Sequence, residues 1–331
     1  MLMNQFKVIQ VGVGGFGNVW LQALKDHPDG KIIALVDKNE EILYKQAVAY
    51  GIEKKHCYLS LSEALKKERA NIIVNVTPPQ THKEVCLEGF EAGLDVITEK
   101  PLADIMKSAQ KIVEIAEKKQ EKIMVSQNYR FTRWAWKIKD LLTKKSLGEL
   151  GYVNIIFQKG PRFAGFRAEM PYPLMIDMSI HHFDLMRNFI KSDPVEVYAK
   201  SYKPTWSWFK GDPSVNLIFT FKNGVICSYN GSWVARGFET TWNGEWRFEC
   251  NNGVLFSRND KIFIATDNES PPQEIVAETP EMEGQRYTFH DMAQAIRENR
   301  QPETNGEDNL KSLAMVFAAL ESAKTNKVVK L

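Results

Sequence analysis

The chain has 331 residues, which is long for a single hydrophobic core and indicates two domains. Hydrophobic residues make up 44% and charged residues 25%, an ordinary globular balance with no sign of disorder. The formal net charge of +2 gives no electrostatic reason to expect nucleic acid or an acidic membrane as a partner.

The sequence carries no signal for export or for a membrane. Lys7 and several glycines interrupt the N-terminal apolar residues, and nowhere do 18 apolar residues follow one another. The four cysteines lie far apart, without C-x-x-C or zinc-binding spacing, and indicate reduced thiols packed in the interior. We therefore expect a soluble, cytoplasmic protein.

Residues 1–126 alternate short apolar runs with amphipathic stretches. Because parallel strands need long crossovers, this pattern predicts an α/β domain, a doubly wound parallel sheet of the Rossmann type. The predicted strands are Lys7–Gly12, Lys31–Asp37, Asn71–Val76, Leu94–Thr98 and Lys122–Ser126. The predicted helices are Phe16–His27, Glu40–Tyr50, Thr81–Gly93 and Asp104–Lys119.

Residues 127–331 follow a different pattern, which predicts an α+β domain with a mostly antiparallel or mixed sheet. A bridging helix, Phe131–Ser146, comes first, and helices Tyr287–Asn299 and Asn309–Thr325 come last. Asn223-Gly224 and Asn252-Gly253 separate paired strands and favour type I′ hairpins. The predicted strands are Tyr152–Lys159, Val195–Tyr202, Val215–Lys222, Val225–Trp233, Glu245–Cys250, Val254–Arg258 and Ile262–Ala265.

A G-x-G-x-x-G motif follows the first strand and opens the first helix, the setting of a dinucleotide-binding loop. Gly12 makes the tight turn, Gly14 lets the backbone approach a pyrophosphate, and Gly17 allows close helix–strand packing. The N–H groups at the start of the helix favour the phosphates. The predicted cofactor-binding residues of this loop are Gly12, Gly14, Gly15, Phe16 and Gly17.

Asp37 ends the second strand, twenty residues after Gly17, where the ribose 2′-hydroxyl of a dinucleotide is expected. Its carboxylate repels a 2′-phosphate and therefore favours NAD. The adjacent Lys38 offsets that repulsion, so NADP stays open. Thr77-Pro78 follows the next strand at the same edge of the sheet, and either contacts the cofactor or is a rigid loop.

The segment Leu174–Ile190 is strongly apolar, yet Asp177, His181, Asp184 and Asn188 fall on one narrow stripe if it is helical. A buried helix must satisfy such groups internally or with a ligand. His182 projects away from the stripe and is interpreted as a packed histidine. No third or fourth ligand has useful spacing, so we expect no metal.

These segments together resemble the glucose-fructose oxidoreductase and inositol 2-dehydrogenase family, often written Gfo/Idh/MocA. The resemblance covers nearly the whole chain and implies a Rossmann domain followed by a substrate-binding domain whose open sheet is often used for oligomerisation. It rests on Val8–Gly17, Thr77-Pro78 with His82, Ala92–Val96, Glu99-Lys100-Pro101-Leu102, the Asp177-x-x-x-His181-x-x-Asp184 segment and Asn305–Asp308.

The resemblance implies an enzyme that transfers hydride between NAD or NADP and a secondary hydroxyl or ketone of a sugar, inositol or related cyclic polyol. It also implies a homodimer or homotetramer. Lys100, Asp177 and His181 match the family's catalytic residues by position. An imidazole suits the acid/base role, so His181 takes it, with Lys100 as the alternative. Thr77, Pro78, His82, Glu99 and Lys100 are expected at the cofactor.

One departure from the family concerns the approach to Asp177. The family often has Gly-Gly-Gly-x-Leu there, whereas this chain has Tyr172–Ile176, which should reshape the pocket. The segment Arg162–Arg167 precedes it and carries two arginines, which either bind an acidic or phosphorylated sugar or are ordinary surface residues. The predicted substrate-binding residues are Lys100, Tyr129, Arg130, Arg162, Arg167, Asp177 and His181.

Two other functions are consistent with the sequence. One is a regulator that senses NAD(H) without catalysis, although Lys100, Asp177 and His181 argue against it. The other is an NAD-dependent glycosidase, which oxidises and re-reduces its substrate within one cycle.

Overall fold

We describe residues 5–331 of a computed structural model, which fall into two compact units. The first unit contains the described residues up to Phe131 together with Met282–Leu310. The second contains Thr132–Glu281 together with Lys311–Leu331. Within residues 5–331 no helix combines the length and the apolar character needed to cross a bilayer.

The first unit is built on a six-stranded parallel sheet with strand order β3-β2-β1-β4-β5-β6. Strand β4 is buried along its whole length, as expected for a sheet covered on both faces. The predicted doubly wound sheet is therefore confirmed. Its strands are β1 (Phe6–Val11), β2 (Gly30–Val36), β3 (Cys57–Tyr58), β4 (Ile72–Asn75), β5 (Asp95–Thr98) and β6 (Ile123–Val125).

Ten α-helices connect and cover the sheets of the described chain. Local sequence explains their limits; for example, α2 begins where the Asn39 side chain accepts a hydrogen bond from the Ile42 N–H, and ends at Gly51 in the left-handed conformation. The helices are α1 (Gly17–Leu24), α2 (Glu40–Tyr50), α3 (Leu61–Lys67), α4 (His82–Glu91), α5 (Met106–Lys119), α6 (Arg133–Thr143), α7 (Phe166–Glu169), α8 (Ser179–Ile190), α9 (Gly284–Arg297) and α10 (Gly306–Thr325).

The second unit contains a nine-stranded sheet of order β14-β13-β12-β11-β7-β10-β9-β8-β15. All its neighbours are antiparallel except β7 and β10, so the predicted open, mostly antiparallel sheet is confirmed. Its strands are β7 (Leu150–Gln158), β8 (Pro194–Tyr202), β9 (Ser214–Phe221), β10 (Ile226–Ser232), β11 (Glu245–Cys250), β12 (Gly253–Arg258), β13 (Lys261–Ala265), β14 (Gln273–Ile275) and β15 (Val329–Lys330).

Both predicted hairpins form, but the predicted type I′ turns do not. Strands β9–β10 and β11–β12 pair antiparallel around the two Asn-Gly sites. A type I′ turn needs positive φ at both central residues, and neither Asn223 nor Asn252 has it. Instead, Gly224 has φ +86° and donates its N–H to the Phe221 carbonyl, so the loop is longer by one residue.

The segment Leu174–Ile190, predicted as one helix, consists of a π-helical turn followed by a regular α-helix. Leu174–Met178 is a π-helical turn, in which the Ser179 N–H donates to the Leu174 carbonyl, and α8 follows as a regular helix. Because a π turn is wider than an α turn, the regular 3.6-residue period used to predict the stripe does not apply at Asp177. Every residue of α8 is buried.

The compact units differ from the sequence ranges 1–126 and 127–331, because residues 282–310 pack with the first unit. Asp29, just before β2, accepts hydrogen bonds from His290 and Arg297 of α9, each at 2.6 Å. Gly30 leaves room for the Phe289 ring, which a Cβ there would meet at 2.3 Å. These contacts are made by residues about 260 positions apart, which no local sequence pattern reveals.

Candidate functional site

The glycine loop lies at the carboxyl edge of the parallel sheet. Gly12 has φ +88°, and a Cβ there would lie 2.7 Å from the Val76 carbonyl oxygen. A Cβ on Gly17 would lie 2.4 Å from the Gly12 carbonyl oxygen. At Gly14, by contrast, a Cβ would meet only the Ile42 side chain, at 3.7 Å. Gly12 and Gly17 are therefore required by packing, whereas Gly14 leaves open space beside the loop.

The start of α1 has the properties of a phosphate-binding helix terminus. Its N-cap residue, Phe16, makes no side-chain capping bond, and the first turn contains no acidic residue. The helix therefore presents backbone N–H groups and the positive end of its dipole. With the space beside Gly14, this loop fits the pyrophosphate of a dinucleotide.

Asp37 is tied to the same loop. Its Oδ2 accepts a hydrogen bond from the Val13 N–H, and its Oδ1 accepts one from the Asn39 N–H, both at 2.9 Å. These bonds fix the carboxylate beside the glycine loop and leave further lone pairs on both oxygens for hydroxyl donors. Lys38 is exposed.

The Thr77-Pro78 loop is organised by two buried side chains. The Asn75 Oδ1 accepts hydrogen bonds from the Thr77 backbone N–H at 3.2 Å and hydroxyl at 2.7 Å. The ring of His82, completely buried, lies 2.8 Å from the Thr77 carbonyl oxygen and 2.9 Å from that of Pro101. The histidine thus connects the loops that follow β4 and β5, and Pro78 is exposed.

His82 is held by carbonyl groups on both ring nitrogens. Burial lowers its pKa, whereas the carbonyls of Thr77 and Pro101 favour the charged form. A neutral imidazole has a single N–H and donates to only one of the two carbonyls. Its described contacts make His82 a positioning residue, and its contact with a cofactor stays a prediction.

Glu99 is a buried carboxylic acid next to Lys100. Its Oε1 accepts a hydrogen bond from the Trp20 indole at 2.7 Å, and its Oε2 accepts one from the Lys100 backbone N–H at 3.2 Å. Burial raises the pKa of Glu99, and the Trp20 hydrogen bond opposes that shift. These two hydrogen bonds therefore fix the turn that carries Lys100, which is half-buried.

Tyr129 and Arg130 follow β6 in a short 3₁₀ turn, Asn128–Phe131. The Arg130 guanidinium lies 2.6 Å from the Asp308 carboxylate, and its side chain is only 6% exposed. This contact holds the start of α10 within the first unit. It gives Arg130 a structural role that its sequence position did not predict, and substrate contact by both residues stays a prediction.

His181 and His182 are neighbours in α8 with different surroundings. His182 is completely buried, its Nε2 donates to the Trp242 carbonyl at 3.1 Å, and its Nδ1 accepts from the Tyr229 hydroxyl at 3.0 Å. Burial lowers the pKa of His182 to about 4. The predicted packing role of His182 fits these contacts, and His181, on another side of the helix, is 6% exposed.

Asp184 of the predicted stripe is hydrogen-bonded within the second unit, whereas the buried Asn188 Nδ2 has no partner among the described residues. The Ser312 hydroxyl of α10 donates to Asp184 Oδ1 at 2.7 Å and accepts from Arg187 Nη1 at 3.0 Å. Arg187 also donates to Asp193. Asp184 is therefore part of a polar network between α8 and α10, a possibility that the apolar–polar pattern left open.

Asp177 is paired with an arginine of the preceding loop. Arg167 Nε lies 2.5 Å from Asp177 Oδ2, and the guanidinium lies 4.8 Å from the Phe166 ring centroid and 5.4 Å from that of Phe163. Arg162, on the same loop, instead stacks on Trp208 at 4.1 Å. The two arginines that the sequence grouped together thus have different partners.

Among residues 5–331, no three His, Cys, Asp or Glu side chains lie close enough together to hold a metal ion.

The parallel sheet, its glycine loop and the open second sheet define a dinucleotide-dependent oxidoreductase. Residues 6–127 match the family described as "Oxidoreductase family, NAD-binding Rossmann fold", and residues 135–255 match the GFO/IDH/MocA C-terminal domain. The chain belongs to the Gfo/Idh/MocA oxidoreductase family. Its cofactor is a nicotinamide dinucleotide, as predicted.

Two relatives that match nearly the whole chain are named as a sugar dehydrogenase and a reductase of an anhydro sugar. The chain is 25% identical to D-apiose dehydrogenase of Paraburkholderia graminis, covering 99% of this chain and 90% of the relative. It is 22% identical to 1,5-anhydro-D-fructose reductase of Ensifer adhaerens, covering 99% of both chains. A solved oxidoreductase from Agrobacterium radiobacter, in complex with NAD⁺, L-tartaric acid and magnesium, has the same fold, with a TM-score of 0.91, 20% identity and coverage of 99% and 98%.

Proposed function

We propose that this oxidoreductase transfers hydride between a nicotinamide and a secondary hydroxyl or ketone of a sugar, inositol or related polyol. The observation that carries the proposal is a dinucleotide loop in a chain that also has His181 in a buried helix and Lys100 in a turn fixed by Glu99. The named relatives act on such substrates, which supports the same class here.

His181 is proposed as the acid/base residue. Oxidation of a secondary alcohol requires a base for the hydroxyl proton, and an imidazole titrates in the neutral range that this step needs. Lys100 is proposed to hydrogen-bond the reacting oxygen and stabilise its developing negative charge. Asp177 is proposed to bind a neighbouring substrate hydroxyl. When bound, the nicotinamide supplies or accepts the hydride.

NAD is the proposed physiological cofactor, rather than NADP. The Asp37 carboxylate is fixed beside the glycine loop by the Val13 and Asn39 N–H groups, so it cannot turn away from the ribose without losing both bonds. A fixed negative charge there disfavours a 2′-phosphate. The exposed Lys38 is a flexible cation and offsets only part of this repulsion.

The proposed assembly is a homodimer or homotetramer formed through the open sheet. Five large apolar side chains, each 40–49% exposed, lie on one face of β7, β10, β9 and β8. Light scattering on the purified protein measures its mass directly, and a monomeric mass would contradict the proposal. The five side chains are Tyr152, Ile156, Tyr198, Ile218 and Ile226.

The test is a panel of sugars, inositols and sugar acids assayed with NAD and with NADP at the nicotinamide absorbance. We expect turnover with at least one polyol, faster with NAD. His181→Ala should then lose at least 100-fold in kcat while NADH affinity stays within about twofold. Tight NADH binding without turnover of any substrate would instead indicate a sensor, and aglycone release without net NADH would indicate a glycosidase.

A further inference from the structure

The Arg167–Asp177 pair leaves one edge of the guanidinium open. A guanidinium has five N–H donors in a fixed plane. Arg167 donates from Nε to Asp177, and no residue within the described chain accepts a hydrogen bond from either of its Nη atoms. The Arg167 side chain is 37% exposed and that of Asp177 is 16% exposed. The two Nη atoms therefore form a planar, partly exposed pair of donors.

The plane of this guanidinium is held by its surroundings. Phe163 and Phe166 lie against it, and the Asp177 carboxylate fixes its Nε. Hydrogen bonds from the Lys210 and Asp212 N–H groups to the Ala168 and Pro171 carbonyls anchor the segment that follows. A fixed guanidinium loses little side-chain entropy when it binds a ligand, which favours two-point binding of a planar anion.

We propose that the two Nη atoms of Arg167 bind the carboxylate of the substrate, so that the enzyme acts on a sugar acid. This inference rests on the proposed function, because it places the carboxylate beside Asp177. Two parallel N–H donors match the two oxygens of a carboxylate. Because Asp177 already compensates the arginine's charge, a singly charged carboxylate fits this site better than a doubly charged phosphate.

Lys210 provides a control beside the same segment. Its ammonium lies 3.0 Å from the Glu169 carboxylate, and its side chain is 73% exposed. Removing either cation deletes one positive charge close to α7. An effect of general electrostatic attraction would therefore appear in both variants, whereas a carboxylate contact would appear only at Arg167.

The experiment compares D-glucuronate, D-galacturonate and D-mannuronate with the corresponding neutral sugars and with the 6-phosphates of those neutral sugars. For the uronate that is turned over, Arg167→Met should lower kcat/KM by roughly 10- to 100-fold, and Lys210→Met should change it less than twofold. For neutral sugars the loss in Arg167→Met should be several-fold smaller than for the uronate, because only the contact with Asp177 is removed. Arg167→Lys, which can keep an ion pair with Asp177 but lacks the planar fork, should still lose several-fold on the uronate.

Several results would overturn the proposal. Equal losses on acidic and neutral sugars, restored by Arg167→Lys, would show that Arg167 only positions Asp177. Larger losses on the 6-phosphates than on the uronates would reject the carboxylate assignment. No loss in Arg167→Met, or no uronate used or bound by the wild-type enzyme, would reject the site itself.

Calorimetric titration of each uronate into the protein–NADH complex separates this inference from the proposed function. Uronate binding that depends on Arg167 but is not followed by turnover would support the carboxylate site and contradict the proposed reaction.

Discussion

His182 should make the second unit unstable in mild acid. The residue is neutral in the folded state, because it is completely buried and Tyr229 donates to its Nδ1. Its pKa is lowered to about 4, against about 6.5 in an unfolded chain. Since the unfolded state binds the extra proton first, the stability due to this shift is complete above pH 6.5 and is lost as the pH falls toward 4.

The magnitude follows from these two pKa values. Between pH 7 and pH 5 the free energy of unfolding should fall by about 2 kcal/mol on account of His182, and by about 3 kcal/mol once the pH is below 4. His182→Gln removes the titration while its amide offers one donor for the Trp242 carbonyl and one acceptor for the Tyr229 hydroxyl. The free energy of unfolding of this variant should therefore fall by less than that of the wild-type protein between pH 7 and pH 5.

Urea unfolding at pH 7, 6 and 5, followed by tryptophan fluorescence, measures this difference. Seven of the eight tryptophans belong to the second unit, so the signal reports mainly on it. Other groups also titrate in this range, so the wild-type loss minus the variant loss is the quantity to compare. Equal losses in the two proteins would refute a buried, neutral His182.

Two further predictions concern the glycine loop and the α8–α10 network. Gly14→Ala should lower NADH affinity at least tenfold with Tm nearly unchanged, since its Cβ meets only the Ile42 side chain at 3.7 Å; Gly17→Ala should lower Tm as well, because its Cβ would lie 2.4 Å from a carbonyl oxygen. Equal Tm losses in both would contradict the distinction. Ser312→Ala should cost about 2 kcal/mol in urea unfolding, because it removes a hydrogen bond from the buried Asp184. Ser257→Ala is its control, since no residue of the described chain hydrogen-bonds the buried Ser257 hydroxyl; a cost there as large as at Ser312 would reject the network's contribution.

Strong local patterns predicted most of the fold. The segments that form β1, β2, β4 and β5 are continuous and apolar. Helix α2 has the limits that were predicted for it, because Asn39 and Gly51 mark its two ends. Short elements were missed: β3 and β15 have two residues each, too few for any periodicity. The π turn was missed because five residues cannot distinguish a 3.6-residue period from a longer one.

The candidate site was predicted in parts. Motif context identified the glycine loop and Asp37, whose positions follow from the order of strands and turns. The partners that fix the site are side chains distant in sequence: Trp20 on Glu99 and Ser312 on Asp184. Neither is part of a motif, so only the folded structure reveals them. The sequence shows that the neighbouring helices contain polar side chains. It does not show which of these side chains would form hydrogen bonds with one another.

The position of residues 282–310 determines when the first unit can be completed. Asp29 receives its Arg297 and His290 partners, and Gly30 its Phe289 ring, only after residues 286–297 have left the ribosome. A fragment ending at Phe131 would leave the Asp29 carboxylate without these partners and Gly30 without the ring that covers it. The dinucleotide-binding unit therefore cannot be completed during synthesis until a segment more than 150 residues further along the chain has been made.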